Sequence, residues 1–120
     1  MLIKSNGSAE FWTDERCYIT ELCNTASLPE SSLAIARVEP GVTTQLHALK
    51  EMTETYIVMT GSGRMELDGD SFDIVVGDQV VIPAGISQRV TALGDEDLKF
   101  YCLCTPRFDP SAYINLEQVR

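Results

Sequence analysis

Two residues near the middle of the chain, His47 and Glu54, have side chains that could transfer protons or hold a ligand. His47 is the only histidine in the sequence, which excludes a site built from several histidines. The segment Glu54-Thr55-Tyr56-Ile57-Val58 is typical of a β-strand, in which Glu54 and Tyr56 face the same side. If that side is inward, Glu54 is a buried carboxyl group that must be paired, metal-bound or protonated. If it is outward, Glu54 is one of many surface acids.

A buried glutamate beside a histidine and a tyrosine is a minimal set for proton transfer without a metal, because burial raises the pKa of a carboxyl group towards neutrality. We therefore predict that Glu54 and His47 are catalytic, in a substrate pocket lined by Tyr56, Gln88, Arg37 and Tyr101. An arginine in the pocket would indicate an anionic substrate, held through its carboxylate or phosphate. The alternatives are a solvated surface position for Arg37 and core packing for Tyr101.

The elements that must position these residues are short strands. Turn signals such as Pro40-Gly41, Asp68-Gly69 and Pro83-Ala84-Gly85 follow one another closely, and the segments between them are rich in Val, Ile, Thr and Tyr. Many short strands with closely spaced turns predict an all-β barrel or sandwich. We expect β-hairpins at two of these turns, Gly61-Ser62-Gly63 and Asp68-Gly69-Asp70.

The 120 residues predict one domain with three parts. Residues 33–106 would form the barrel. Residues 1–32 read as an irregular N-terminal arm, or as a first strand pair around Glu10-Phe11-Trp12, that packs on the barrel or on a partner subunit. Residues 107–120 would form a C-terminal extension with one short helical turn, because Asp109 precedes Pro110 and proline is tolerated at the first helical position.

The stretch that contains His47 and Glu54 has a distinctive spacing. Gly41 is followed after five residues by His47, and Leu49 is the second residue beyond it. Four residues separate Leu49 from Glu54, and six residues separate Glu54 from Gly61.

A second stretch has Gly77, Pro83, Gly85 and Gln88 in order. Together the two stretches resemble the two motifs of the cupin superfamily, over about residues 33–106, and they look like those of small single-domain cupins similar to sugar-phosphate isomerases. Leu49 and Gln88 depart from the motifs, because the family has histidine at both positions. The resemblance implies a double-stranded β-helix, or jelly-roll barrel, with degenerate metal-site motifs.

Members of the family bind a divalent metal inside the barrel through these motif positions. By analogy, His47 and Glu54 would be ligands here, and Gln88 could offer an amide oxygen. Gln45 shares a strand face with His47 and could replace Leu49. An oxygen-rich set with one imidazole suits Mn, Fe or Ni better than Zn. The alternative for Gln88 is a hydrogen-bonded residue that lines the cavity.

We therefore expect a small cupin that binds an oxygenated metabolite of the sugar or keto acid type, as a metal-assisted isomerase, lyase or dioxygenase. A non-catalytic binding or sensing cupin is the alternative, favoured by the two missing histidines. A homodimer is expected because small cupins commonly form one. A purely structural role in a larger assembly has only Phe11 and Trp12 to support it.

Charge and cysteine content exclude several other classes. Nine Lys and Arg stand against eighteen Asp and Glu, for a net charge of -9, which disfavours nucleic acid and anionic membranes as partners. No apolar run approaches the length of a membrane helix, and no secretory signal is evident, so we expect a cytoplasmic protein. The four cysteines form no metal-finger or redox pattern, and are expected to be small buried hydrophobic residues.

Overall fold

The chain folds almost entirely into β-strands. The computed structural model describes residues 1–4 and 9–117. One 3-10 helix, η1, spans Pro110–Ala112. The strands of the described residues are β1 Phe11–Thr13, β2 Cys17–Cys23, β3 Ser32–Val38, β4 His47–Leu49, β5 Thr53–Thr60, β6 Ser62–Leu67, β7 Asp70–Val75, β8 Gln79–Ile82, β9 Gln88–Leu93, β10 Leu98–Thr105 and β11 Tyr113–Asn115.

These strands form two antiparallel sheets. The first has six strands in the order β1-β2-β3-β10-β5-β8, and the second has five in the order β11-β4-β9-β6-β7. Strands adjacent in the chain, such as β5 and β6, belong to opposite sheets, as in a jelly roll. The predicted all-β jelly-roll class is therefore confirmed. No helix of the described residues is long and apolar enough to cross a membrane.

Between the sheets lies the hydrophobic core. The buried positions of β5 alternate, so that Glu54, Tyr56 and Val58 all face inward. The side chains that fill the space are apolar and almost fully buried, and the largest of them are Phe100, Met65, Ile82, Leu98, Val38 and Val90.

The N-terminal part of the chain is more regular than an arm. β1 and β2 form an antiparallel pair, and β2 pairs in turn with β3, so residues 11–23 extend the six-stranded sheet. The expectation of an irregular arm is wrong for these residues, and the alternative, a first strand pair, is what the structure shows. The turn between β1 and β2 contains no glycine, and Arg16 takes the left-handed conformation there, with φ of 67°. Residues 5–8 of the predicted arm lie outside the described residues.

Of the two predicted hairpins, the structure contains one. β6 and β7 pair directly, with Leu67 opposite Asp70, and the two residues of their turn have positive φ, as a type I′ turn requires. The hairpin predicted at Gly61-Ser62-Gly63 is wrong, because β5 pairs with β8 and β10 while β6 pairs with β7 and β9. Here the chain crosses from one sheet to the other.

The C-terminal extension closes the five-stranded sheet. Asp109 caps η1 by accepting a hydrogen bond from the Ser111 backbone N–H at 3.0 Å, and Pro110 starts the turn. β11 follows and pairs with β4, placing Asn115 opposite His47. The end of the chain therefore supports the strand that carries the histidine. Residues 118–120 of the extension lie outside the described residues.

Candidate functional site

A cavity of about 160 Å³ lies against the inner face of the six-stranded sheet, with His47 facing it from the other sheet and Thr44 from the segment before β4. Its walls are mostly apolar and aromatic. Because the exposed side chains of Phe11 and Glu21 are among the walls, the cavity reaches the surface beside β1 and β2. An apolar cavity of about 150 Å³ holds a molecule the size of benzene. The cavity can therefore enclose a small metabolite or one end of a larger one.

Glu54 is the buried acid of this cavity. Its side chain is 8% exposed, and its Oε1 atom makes no hydrogen bond to any described residue. The thiol of Cys104, opposite on β10, is 3.9 Å from Oε2. Burial raises the pKa of Glu54 to about 7, and the amide of Gln88 opposes this rise only in part. Glu54 can therefore both hold and release a proton near neutral pH.

A hydrogen bond between Tyr56 and Gln88 lies beside Glu54. The Tyr56 hydroxyl donates to Gln88 Oε1 at 2.5 Å, and both side chains are buried. The other polar atom of the amide, Nε2, makes no hydrogen bond. Because the Tyr56 hydroxyl uses its one proton in the hydrogen bond to Gln88, its oxygen can only accept a hydrogen bond from a ligand.

The imidazole of His47 is fixed by Gln45 and Tyr113. His47 Nδ1 is 2.7 Å from the backbone oxygen of Gln45, and since a carbonyl only accepts, the proton lies on Nδ1. The ring stacks on Tyr113, whose hydroxyl donates to Gln45 Oε1 at 2.6 Å. Burial lowers the pKa of His47, so the ring is neutral at pH 7 and its Nε2 is an acceptor. Gln45 is outside the cavity lining and positions His47 rather than facing a ligand.

Glu15, in the turn between β1 and β2, is a cavity residue that the sequence did not suggest. Its backbone oxygen accepts from the Gln45 N–H at 2.9 Å. The next residue, Arg16, donates to the Thr43 backbone oxygen at 2.8 Å and pairs with Glu117 at 2.6 Å. The turn is thus clamped to the segment that leads into β4. Burial raises the pKa of Glu15 to about 7, and its charge contributes to raising the pKa of Glu54.

Three cysteines also line the cavity, namely Cys17, Cys102 and Cys104. They are free thiols, and Cys102 and Cys104, two residues apart, share the inner face of β10. Burial raises the pKa of both Cys17 and Cys104 to about 12. These thiols are therefore protonated at neutral pH and behave as small hydrophobic groups.

Three of the four predicted pocket residues, Gln88, Arg37 and Tyr101, are not among the residues that line the cavity. Arg37 pairs with Glu10 at 2.7 Å and with Asp97 at 3.0 Å, and its guanidinium lies over the ring of Tyr18. On β10, the cavity is lined by alternate residues, so Tyr101 faces the opposite side of the sheet. In the part of the chain that the structure describes, no lysine or arginine lines the cavity.

The donor atoms do not fit the divalent metal expected from the sequence. Tyr113 occupies Gln45 Oε1, and Tyr56 occupies Gln88 Oε1, so both amides are engaged elsewhere. Leu49 is buried in a separate apolar cluster with Met52. Of the predicted ligands only His47 and Glu54 remain, and the described residues contain no group of three His, Cys, Asp or Glu placed to hold a metal. The predicted Mn, Fe or Ni site is therefore not supported.

Sequence comparison relates the barrel to one family. Residues 34–104, more than half of the chain, match the family described as Cupin domain. The chain is also 33% identical over 79 residues to an uncharacterized protein of Methanocaldococcus jannaschii, MJ1618. That match covers 66% of this chain and 63% of the relative, so the chain spans less than two thirds of the relative's length.

Several solved structures share the fold. KdgF from Halomonas sp. superposes with a TM-score of 0.78 at 18% identity, covering 92% of this chain and 97% of that one. Pac13, a nucleoside dehydratase of Streptomyces, has a TM-score of 0.81 at 15% identity, covering 100% and 93%. A protein of Thermotoga maritima described as a predicted oxalate decarboxylase has a TM-score of 0.77 at 20% identity, covering 88% and 99%. At these identities the likeness concerns the fold.

Proposed function

Because the chain belongs to the cupin family, we propose that its barrel cavity binds a small oxygenated metabolite. We further propose that Glu54 transfers a proton to or from this ligand without a metal, in an isomerase or lyase type of reaction. The observation that carries this proposal is the buried carboxyl group of Glu54, whose Oε1 atom has no hydrogen-bond partner inside a cavity that reaches the surface. The fold neighbours include a protein named as a dehydratase, which is consistent with lyase chemistry on such a barrel.

Glu54 would act as the general base and then as the general acid. Its carboxylate removes a proton from the carbon beside a carbonyl group, which leaves an enediolate. In an isomerisation the same carboxyl group returns the proton to the former carbonyl carbon, and the proton of the neighbouring hydroxyl group moves to the former carbonyl oxygen. In an elimination the proton goes to the leaving hydroxyl group, which departs as water. A pKa of about 7 suits both directions, because neither protonation state is strongly disfavoured.

The neighbouring residues would hold the ligand. The hydroxyl oxygen of Tyr56 accepts a hydrogen bond from a ligand hydroxyl, because its own proton is used in the hydrogen bond to Gln88. His47 Nε2 is a second acceptor, since the imidazole is neutral and protonated on Nδ1. The apolar walls exclude water from the reacting carbon. The dioxygenase reaction that the sequence also suggested needs an O₂-activating centre, and the donor atoms of the cavity do not provide the metal ligands for one.

Deuterium incorporation tests this proposal before the natural substrate is known. The protein is incubated in D₂O with small neutral carbonyl compounds such as dihydroxyacetone and hydroxyacetone, and proton NMR follows exchange at the carbon beside the carbonyl. We expect exchange with the wild type and a loss of about 100-fold or more in Glu54→Gln. The matched control is Glu96→Gln, which removes an exposed glutamate that does not line the cavity and should exchange normally. Equal exchange in wild type and Glu54→Gln would overturn the role of Glu54.

A non-catalytic binding protein is the second candidate. Leu49 and Gln88 favour it, because they remove two side chains that the family uses for catalysis through a metal, and because the cavity walls are mostly apolar. If carbonyl compounds bind but none exchanges deuterium, the binding function is supported and the enzymatic proposal is contradicted.

A further inference from the structure

Several polar atoms of the cavity are hydrogen-bond acceptors. Glu54 and Glu15 contribute carboxyl groups, and neutral His47 contributes Nε2. Tyr56 contributes a hydroxyl oxygen whose proton is used in the hydrogen bond to Gln88. The Thr13 hydroxyl, which also faces the cavity, donates to the Cys17 backbone oxygen at 2.9 Å. A ligand that pairs with these acceptors must bring hydrogen-bond donors.

The charged residues of the cavity also favour a ligand that brings donors, and in particular a cation. Glu15, Glu21 and Glu54 line it, and among the described residues no lysine or arginine does. The arginine that could have attracted an anion, Arg37, is held outside by Glu10 and Asp97. Glu54 is more than nine-tenths buried, and its Oε1 atom lacks a partner, so this carboxyl group gains directly from a cationic ligand.

The walls offer a second attraction for a cation. Phe100 lies against Tyr56 with the ring centroids 4.2 Å apart, and Phe108 and Phe11 complete an aromatic lining. The face of an aromatic ring attracts a desolvated ammonium group, and its surface packs well against aliphatic carbon. Such walls favour a ligand that has an apolar body as well as its charge.

We propose that the cavity selects small organic amines, whose protonated amino group pairs with Glu15 and Glu54 and whose carbon body packs against the aromatic walls. This inference rests on the proposed ligand-binding role of the cavity and names the class of its ligand. Of the sugar or keto acid type expected from the sequence, it disfavours the keto acid, because no lysine or arginine of the described lining would pair with its carboxylate. An amino-substituted sugar or carbonyl compound combines this charge with the proton transfer proposed for Glu54.

Three probes of one shape and different charge test the inference: isobutylamine, isobutanol and isobutyrate. Their dissociation constants are measured by ligand-observed NMR at pH 8, where Glu15 and Glu54 are mostly ionised. Because a hydrogen bond to a charged group is stronger than a neutral one, we expect the amine to bind about tenfold more tightly than the alcohol. Isobutyrate should bind more weakly than either.

The variant Glu15→Gln should reduce the preference for the amine, because one of its two carboxyl partners is lost, and leave the affinity for isobutanol unchanged. The control Glu96→Gln removes the same charge from an exposed position that does not line the cavity, and should keep the wild-type ratio. The wild-type ratio of amine to alcohol is itself decisive, whether or not Glu15→Gln folds. If the alcohol binds as tightly as the amine, the charge selectivity is wrong while the binding cavity stands. If none of the probes binds, both the selectivity and the proposed binding function are overturned.

Discussion

Glu54 shows how one buried carboxyl group links the stability of this protein to its proposed activity. Burial removes the carboxylate from water, and neither Cys104 nor Gln88 replaces the lost hydration fully. The folded chain therefore favours the protonated form. The same preference that makes Glu54 suitable for proton transfer must destabilise the fold when the group ionises.

We expect this cost to appear as a pH dependence of stability. The pKa of Glu54 rises from 4.5 to about 7 on folding, so the folded chain binds more protons between these pH values, and its stability falls as the pH rises through them. The full effect corresponds to about 3 kcal/mol. Glu54→Gln lacks the ionising group, so its stability relative to the wild type should improve by about this amount between pH 4 and pH 8. Denaturant unfolding at a series of pH values measures the difference.

Glu66→Gln provides a control of opposite sign. Its pairing with Arg89 at 2.6 Å lowers the pKa of Glu66, so this variant should lose stability relative to the wild type as the pH rises. A stability difference between wild type and Glu54→Gln that stays constant with pH would contradict an ionisation of Glu54 near neutrality. Glu15 faces the same cavity, and its own contribution is common to both proteins in the comparison.

The corner between β5 and β6 is where the chain crosses from the six-stranded to the five-stranded sheet. Gly61 adopts a φ of 76°, and a Cβ atom at this position would lie 2.5 Å from the backbone oxygen of Asp97. The corner therefore requires glycine at position 61.

We predict that Gly61→Ala is clearly more destabilising than Gly69→Ala. Both glycines have positive φ, which costs an alanine about 1–2 kcal/mol, but the Cβ atom at Gly69 meets nothing within 4 Å. The backbone collision at Gly61 adds to that cost. Thermal or denaturant unfolding of the two variants measures the difference. Equal destabilisation would mean that the corner relaxes without strain.

Local patterns in the sequence predict most of the elements but not how they pair. Alternation of residue type indicated the strand that contains Glu54 and Tyr56, and Asp68-Gly69 indicated the β6–β7 hairpin. The turn at Gly61-Ser62-Gly63 carries similar residues, and local sequence does not reveal that its flanking strands join different sheets. The β1–β2 turn has no glycine and is held by contacts with residues far along the chain, such as Glu117.

The same limit applies to the site. The alternation of side chains along β5 correctly predicted that Glu54 and Tyr56 face the same side, since this depends on a single strand. Gln45 precedes the start of β4, so strand parity does not apply to it, and its side chain turns to Tyr113 instead. Glu15 reaches the cavity only because β1 and β2 join the sheet, which no pattern within residues 14–16 indicates.

At the scale of the whole molecule, the homodimer stays a prediction, and β1 is the place where we expect it. This strand is an edge of the six-stranded sheet, and Phe11 and Trp12 on it are 51% and 52% exposed. The net charge of -9 opposes association of two copies, and salt screens this repulsion. Sedimentation velocity should therefore show a dimer that strengthens with salt and is lost in Trp12→Glu. A monomer at every salt concentration would contradict the prediction.

The account as a whole depends on Glu54 holding a proton at neutral pH inside a cavity that can take a ligand. The most direct measurement is a carbon-13 NMR titration of the glutamate side-chain carboxyl carbons, with the Glu54 signal assigned by its absence in Glu54→Gln. We predict a midpoint near pH 7 for Glu54, well above that of an ordinary glutamate. A midpoint near pH 4.5 would show that Glu54 is fully ionised at neutral pH, and would contradict the proton transfer proposed for this cavity.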